Sequence, residues 1–133
     1  MNVFDVHVNR APVAGKVIST SYHRGAFLNA GLDKASEQNE RWNMVLETAS
    51  GQPVGVVQIA GLVARRILLE AAVGDYLNIG QQYGIIRFGS RVDLWLPVTT
   101  PVYVLAGQTT IAGETILADL SGKTAEITDG VCR

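Results

Sequence analysis

Cysteine occurs once in the 133 residues, as Cys132, and histidine only twice, as His7 and His23. A disulfide framework and a cysteine-based zinc site within one chain are therefore excluded, and no metal centre is expected. A surplus of either charge is also missing. Eleven Lys and Arg stand against twelve Asp and Glu, a formal net charge of −1, so there is no basic face of the kind that nucleic-acid binding requires. Long apolar runs are absent too: the uncharged stretch Thr48 to Ala64 is broken by Gly51, Gln52, Pro53, Gly55, Gln58 and Gly61. It falls short of the ~20 apolar residues of a spanning helix, and no transmembrane segment is expected. Met1 to His7 mixes charge with alternation where a signal peptide needs an apolar stretch. Without tandem repeats, low-complexity tracts or a linker, the chain is expected to form one domain over residues 1–133. The polar residues 121–133 should fray as a flexible tail. A chain of this size buries roughly two thirds of its unfolded surface, enough for a core without staples.

The 14 glycines punctuate short runs rich in Val, Ile, Leu and Thr, a spacing that predicts many short strands. Expected strands are Val3 to Asn9, Gly15 to Tyr22, Val54 to Ala60 and Leu62 to Leu69, with a hinge at Gly61. Ile85 to Phe88 and Val92 to Leu96 follow on either side of Gly89-Ser90, and Val102 to Leu105 and Thr109 to Leu117 complete the set. The only helix expected lies in the polar segment Leu32 to Trp42, capped by Asp33. The fold class is thus mainly β with one short helix.

Gly89-Ser90 interrupts two apolar strands and has Arg87 and Arg91 nearby. One reading is a strand junction or β-bulge, where glycine commonly sits. The other is self-processing. A strained Gly-Ser amide lets the serine hydroxyl attack the preceding carbonyl, giving an ester by N-to-O acyl shift. β-Elimination and hydrolysis then leave a pyruvoyl group at a new N-terminus. Glycine suits the position because it admits unusual backbone conformations and close approach. His7, on an alternating strand, shares a face with Asp5 and Asn9 opposite Val6 and Val8. It reads either as a structural residue or as a proton donor that works near neutral pH.

Several blocks resemble the phosphatidylserine decarboxylase family, in its short bacterial and archaeal branch. They are Phe4-Asp5-Val6-His7-Val8-Asn9-Arg10-Ala11-Pro12, Phe27-Leu28-Asn29-Ala30, Leu32 to Glu37, Asn39-Glu40-Arg41, Val57 to Arg66, Ile86 to Asp93, Gly107-Gln108-Thr109 and Ala112-Gly113-Glu114-Thr115. They run in family order over about residues 1 to 119. The resemblance implies a barrel-sandwich-hybrid-like β-barrel and a pyruvoyl-dependent lyase that converts phosphatidylserine, or a related serine phospholipid, to the ethanolamine lipid. It implies cleavage between Gly89 and Ser90, with residues 1–89 as the β chain, residues 90–133 as the α chain and Ser90 as the source of the pyruvoyl cofactor. The ketone would accept the electrons released as CO₂ leaves, and His7 would return a proton to carbon. Arg87, Arg91 and His23 are the candidate headgroup contacts, since guanidinium presents a planar fork of donors. His23 reads alternatively as a surface or turn residue. The implied setting is peripheral, on the cytoplasmic side of the cell membrane, and the protein is expected to bind no nucleic acid.

Two departures accompany the resemblance. Arg10 stands where the longer branch has a histidine that assists cleavage, as it does in the short branch, and arginine cannot take the serine proton. The resemblance also starts inside the family core at Met1, without the family's apolar membrane-associating segment and an aspartate-containing motif. A homo-oligomer, or a missing N-terminal segment supplied in trans, would complete the barrel. An alternative is an unprocessed relative that serves as a lipid- or partner-binding β-domain. A lipoyl or biotinyl carrier is a further alternative, because Asp33-Lys34-Ala35 resembles the attachment triplet. A carrier lysine, however, belongs at a hairpin tip.

Overall fold

The computed structural model describes residues 8–30, 35–61, 67–86, 90–111 and 115–120. Within them the elements run β1 (Val8–Arg10), β2 (Gly15–His23), α1 (Ala35–Gln38), β3 (Arg41–Glu47), β4 (Pro53–Ile59), β5 (Ile67–Leu69), β6 (Tyr76–Leu77), β7 (Gln82–Ile86) and β8 (Arg91–Trp95). They form two antiparallel sheets, ordered β1-β7-β5 and β6-β2-β3-β4-β8. The architecture is mainly β, as the glycine spacing predicts, and barrel-like, as the family resemblance implies.

The five-stranded sheet is built from period-two sequence. Trp42, Met44 and Leu46 of β3 lie opposite Gln58, Val56 and Val54 of β4, and Val92 and Leu94 of β8 continue the first two rows. Alternation places all of these on one face. Met44, Leu46, Val54 and Val56 are buried with Ala11, Val17, Leu77 and Tyr83 in a single core. Each large apolar side chain so buried contributes about 1.5–3 kcal/mol. The β3–β4 hairpin closes through Gly51 at φ +82°, while the Thr48 hydroxyl accepts the Gln52 amide at 3.1 Å. Pro53 stands at the first position of its strand, where proline is tolerated. On β2, the register shifts between Val17 and Ser19, a bulge that bends the strand.

Three expectations are corrected. The helix covers only Ala35–Gln38. Asn39 bridges to Ala26, and Arg41–Glu47, including Trp42, is a strand. The polar run has too thin an apolar face to hold a longer helix, whereas Trp42, Met44 and Leu46 bury a face only as a strand. Among the described residues, Val102 to Leu105, Thr109 to Ile111 and Thr115 to Leu117 do not form strands; an isolated bridge joins Val102 to Ala118. Around that bridge Tyr103 N–H donates to the Leu117 carbonyl and Asp119 N–H to that of Pro101, and between them the backbone bonds locally. Gly107 turns at φ +84°, Gln108 Oε1 accepts the Leu105 amide at 3.1 Å, and Thr115 Oγ1 accepts the Ile111 amide at 2.7 Å. Third, β7 starts at Gln82, earlier than expected. The expectations for residues 1–7, 31–34, 62–66, 87–89, 112–114 and 121–133 lie outside the described residues, His7, Lys34, Arg87, Gly89 and the tail among them.

Candidate active site

Ser90 immediately precedes β8 and is buried, with 3% of its surface exposed. The strand that leaves it is fixed on both sides. Along β4, Arg91 faces Ile59, Val92 faces Gln58 and Asp93 faces Val57, so continuing the ladder by one residue sets Ser90 across from Ala60. On the opposite face from Val92, Arg91 Nε lies 2.8 Å from Asp93 Oδ1 and Nη2 lies 3.2 Å from Oδ2. The third arm of the fork, Nη1, donates to the Ala30 carbonyl at 2.7 Å. Arg91 thereby ties the 26–30 loop to the first residue of the strand.

A second tie closes the same end of the sheet. Asn39, fully buried, accepts the Leu28 amide at 3.0 Å and donates to the carbonyls of Leu28 at 2.8 Å and Ala60 at 2.7 Å. It satisfies backbone groups of the loop and of the residue that ends β4. Gly25 lets this crossing happen, since a Cβ there would stand 2.2 Å from the Gln38 carbonyl oxygen. Ala60, which faces Ser90, is therefore held at its carbonyl by the Asn39 amide and at its N–H by the Glu40 carbonyl at 3.0 Å.

The third polar feature joins the two sheets. Gln58, 1% exposed, points from β4 to the smaller sheet, where Nε2 donates to Asn9 Oδ1 at 2.9 Å and to the Leu68 carbonyl at 3.3 Å. Asn9 is itself buried on β1, paired with Gly84 of β7. Gln58 Oε1 is buried and has no hydrogen-bond partner among the described residues. An orphan acceptor of this kind costs about 1–3 kcal/mol.

Of the candidate residues, Ser90 and Arg91 are adjacent at the head of β8, and His23 is apart from them. His23 is exposed on β2, its Nε2 3.2 Å from Ser21 Oγ. It belongs to the cross-sheet row His23, Arg41, Ile59, Arg91, with two strands intervening. At ~4.8 Å per strand this sets it roughly 14 Å from Arg91. Asn9, Asn39 and Gln58 carry no role in the sequence reading. Gln58 could have been found as the one polar residue in the apolar run Val54 to Ala60.

Three tyrosines, Tyr22, Tyr83 and Tyr103, have raised pKa values, that of Tyr103 through desolvation and the nearby Asp119. Burial pushes the Tyr83 phenol far above its ordinary value, and a hydrogen bond to Glu40 raises that of the exposed Tyr22.

The family model described as phosphatidylserine decarboxylase matches residues 1–118. The chain belongs to the phosphatidylserine decarboxylase family. Among similar proteins, the phosphatidylserine decarboxylase proenzyme of Xanthobacter autotrophicus is 58% identical over 123 residues, 92% of this chain and 52% of that protein. The proenzyme of Rickettsia africae is 54% identical over the same share of this chain and 53% of its own length. That of Rickettsia bellii is 52% identical over 128 residues, 96% of this chain and 55% of that protein. The chain spans about half the length of the curated relatives it matches. No solved structure matches it. Membership of the phosphatidylserine decarboxylase family bears out the resemblance drawn from the residues. It leaves the carrier reading without support: Ala35 of the triplet opens α1, although Asp33 and Lys34 lie outside the described residues.

Proposed function

We propose that this chain is the catalytic part of a pyruvoyl-dependent decarboxylase that converts phosphatidylserine, or a related serine phospholipid, to the corresponding ethanolamine lipid. The observation that carries the reading is Ser90, a buried hydroxyl at the head of an anchored strand, directly after Gly89. The relatives' printed name, proenzyme, supports a precursor that must be activated.

In activation, the Ser90 hydroxyl oxygen attacks the Gly89 carbonyl carbon, and the amide bond gives way to an ester. Elimination across Cα–Cβ of residue 90 releases Gly89 as a carboxylate. Hydrolysis with loss of ammonia leaves a ketone at the new terminus of residues 90–133, while residues 1–89 form the second chain. Burial of Ser90 fits this product, because a ketone there would be shielded from bulk water. When formed, the group supplies the electron sink for loss of CO₂ from the serine headgroup.

The chain's own residues do the rest. Arg91, braced by Asp93 and Ala30, holds the terminus of β8 in place after the break. Arg91 and, by its place in the sequence, Arg87 are the headgroup candidates beside Ser90, and His23 is the more distant one. His7 delivers the proton to carbon. No helix among the described residues is long and apolar enough to cross a membrane, and we assign the protein a peripheral place on the cytoplasmic face.

The test is turnover. Vesicles of phosphatidylserine with the protein should release CO₂ and accumulate the ethanolamine lipid, and Ser90→Ala should abolish both. Lipid binding with no CO₂ from the wild type would instead favour a binding β-domain.

A further inference from the structure

The amide of Gln58 joins parts of the fold that the proposed reaction must keep in register. It stands on β4 opposite Val92, two residues along from Ser90, and alternation puts Ser90 and Val92 on its own face of the sheet. Its Nε2 crosses to the smaller sheet and donates to Asn9 Oδ1 on β1, two residues beyond His7 in sequence. The Leu68 carbonyl, which can only accept, fixes which end of the amide faces that sheet. Oε1 is consequently turned away from both partners and is left without one in the interior among the described residues. An apolar side chain of similar length would carry no orphan at position 58 but would take from Asn9 Oδ1 the donor that links the two sheets. Local violations of this kind concentrate at functional sites.

We propose that Gln58 is a positioning residue of the decarboxylation: with Asn9, its buried amide sets the spacing between the strand leaving Ser90 and the strand following His7. The inference rests on the lyase reading. A proton donor and a reacting carbon that lie next in sequence to strands of two different sheets need the placement of those strands fixed. A displacement of about 1 Å between such groups lowers turnover by up to roughly a hundredfold. Activation needs only neighbouring atoms of Gly89 and Ser90, so it should survive loss of the link.

The experiment compares wild type, Gln58→Met, Asn9→Ala and the double variant as full chains on phosphatidylserine vesicles. kcat is expressed per mature chain, counted from the keto-terminated fragment. Each single variant should cleave like wild type and lose about ten- to a hundredfold in kcat with KM changed less than about threefold. The double variant should be no slower than the worse single one, because the two side chains form one link. If Gln58→Met fails to fold, Asn9→Ala alone decides by the same split. Wild-type kcat per mature chain in either folded variant overturns the inference and leaves the lyase reading standing. Additive losses in the double variant, or a loss confined to the yield of mature chain, also overturn it. A wild type that releases no CO₂ overturns the lyase reading itself, and this inference with it.

Discussion

The Gln58 carboxamide occupies the space that a side chain at position 84 would need. A Cβ on Gly84 would stand 2.6 Å from Gln58 Nε2 and 2.3 Å from the Leu68 carbonyl oxygen. Gly84 has no special backbone angle to justify it; the requirement is close approach of a neighbouring strand and of a side chain from the other sheet. Gly84→Ala must displace backbone as well as the amide, and should destabilise the fold by about 1–3 kcal/mol. Urea unfolding followed by circular dichroism would measure it, and an unchanged midpoint would contradict the packing described.

Arg91 should matter for stability whether or not it meets a headgroup. Its side chain is 19% exposed and that of Asp93 17%, so the pair is only partly screened by water. Arg91→Met strips Asp93 of its cation and the Ala30 carbonyl of its donor. The expected loss is about 1–3 kcal/mol, below that for a fully buried pair. Thermal unfolding of the Ser90→Ala background, which remains one chain, isolates this effect from processing. Asp93→Asn in the same background should cost less, because it keeps a polar acceptor for the guanidinium.

Tyr83 predicts an alkaline limit. Its folded pKa is raised well above the ordinary value of 10.0 by burial. Below pH 10 both folded and unfolded phenols hold their protons, and the group adds no pH dependence. Above it the unfolded phenol ionises while the folded one does not, so the unfolded state binds fewer protons and stability falls as pH rises. The slope contributed approaches about 1.4 kcal/mol per pH unit between the unfolded and folded values. Tyr83→Phe should flatten the decline of melting temperature above pH 10, and an equally steep decline in the variant would rule out this group as its source.

Much of the sheet framework was legible in the sequence because period-two alternation is a local signal. Val17, Val54, Val56, Val92 and Leu94 mark their strands plainly. β3 was not read as a strand at all: Arg41 and Trp42 close a segment of good helix formers, and only pairing with both β2 and β4 decides the matter. The same limit applies to the site. Ser90 stands out through its neighbours in sequence, but its anchoring depends on Ala30, Asn39 and Ala60, which no spacing rule links to it. Asn9 and Gln58 are 49 positions apart, and their hydrogen bond exists only once two sheets pack. Polar residues inside apolar strands were the available hint.

His7 and Ser90 should separate the two stages of the reaction. His7→Ala is expected to yield the two fragments at the wild-type rate and to slow decarboxylation by about 10²–10⁴-fold, the usual contribution of a general acid. A denaturing gel reads the first and CO₂ release the second. Full turnover in His7→Ala would remove that residue from the mechanism, and an uncleaved chain would move it to the activation step.

The mass of the purified protein bears most directly on residue 90. Two polypeptides divided after Gly89 are predicted, with the C-terminal one resistant to amino-terminal sequencing and carrying a ketone in place of the serine. Reaction with a hydrazine should shift that fragment alone. A single polypeptide that runs through residue 90, with an intact serine side chain there, would contradict the account.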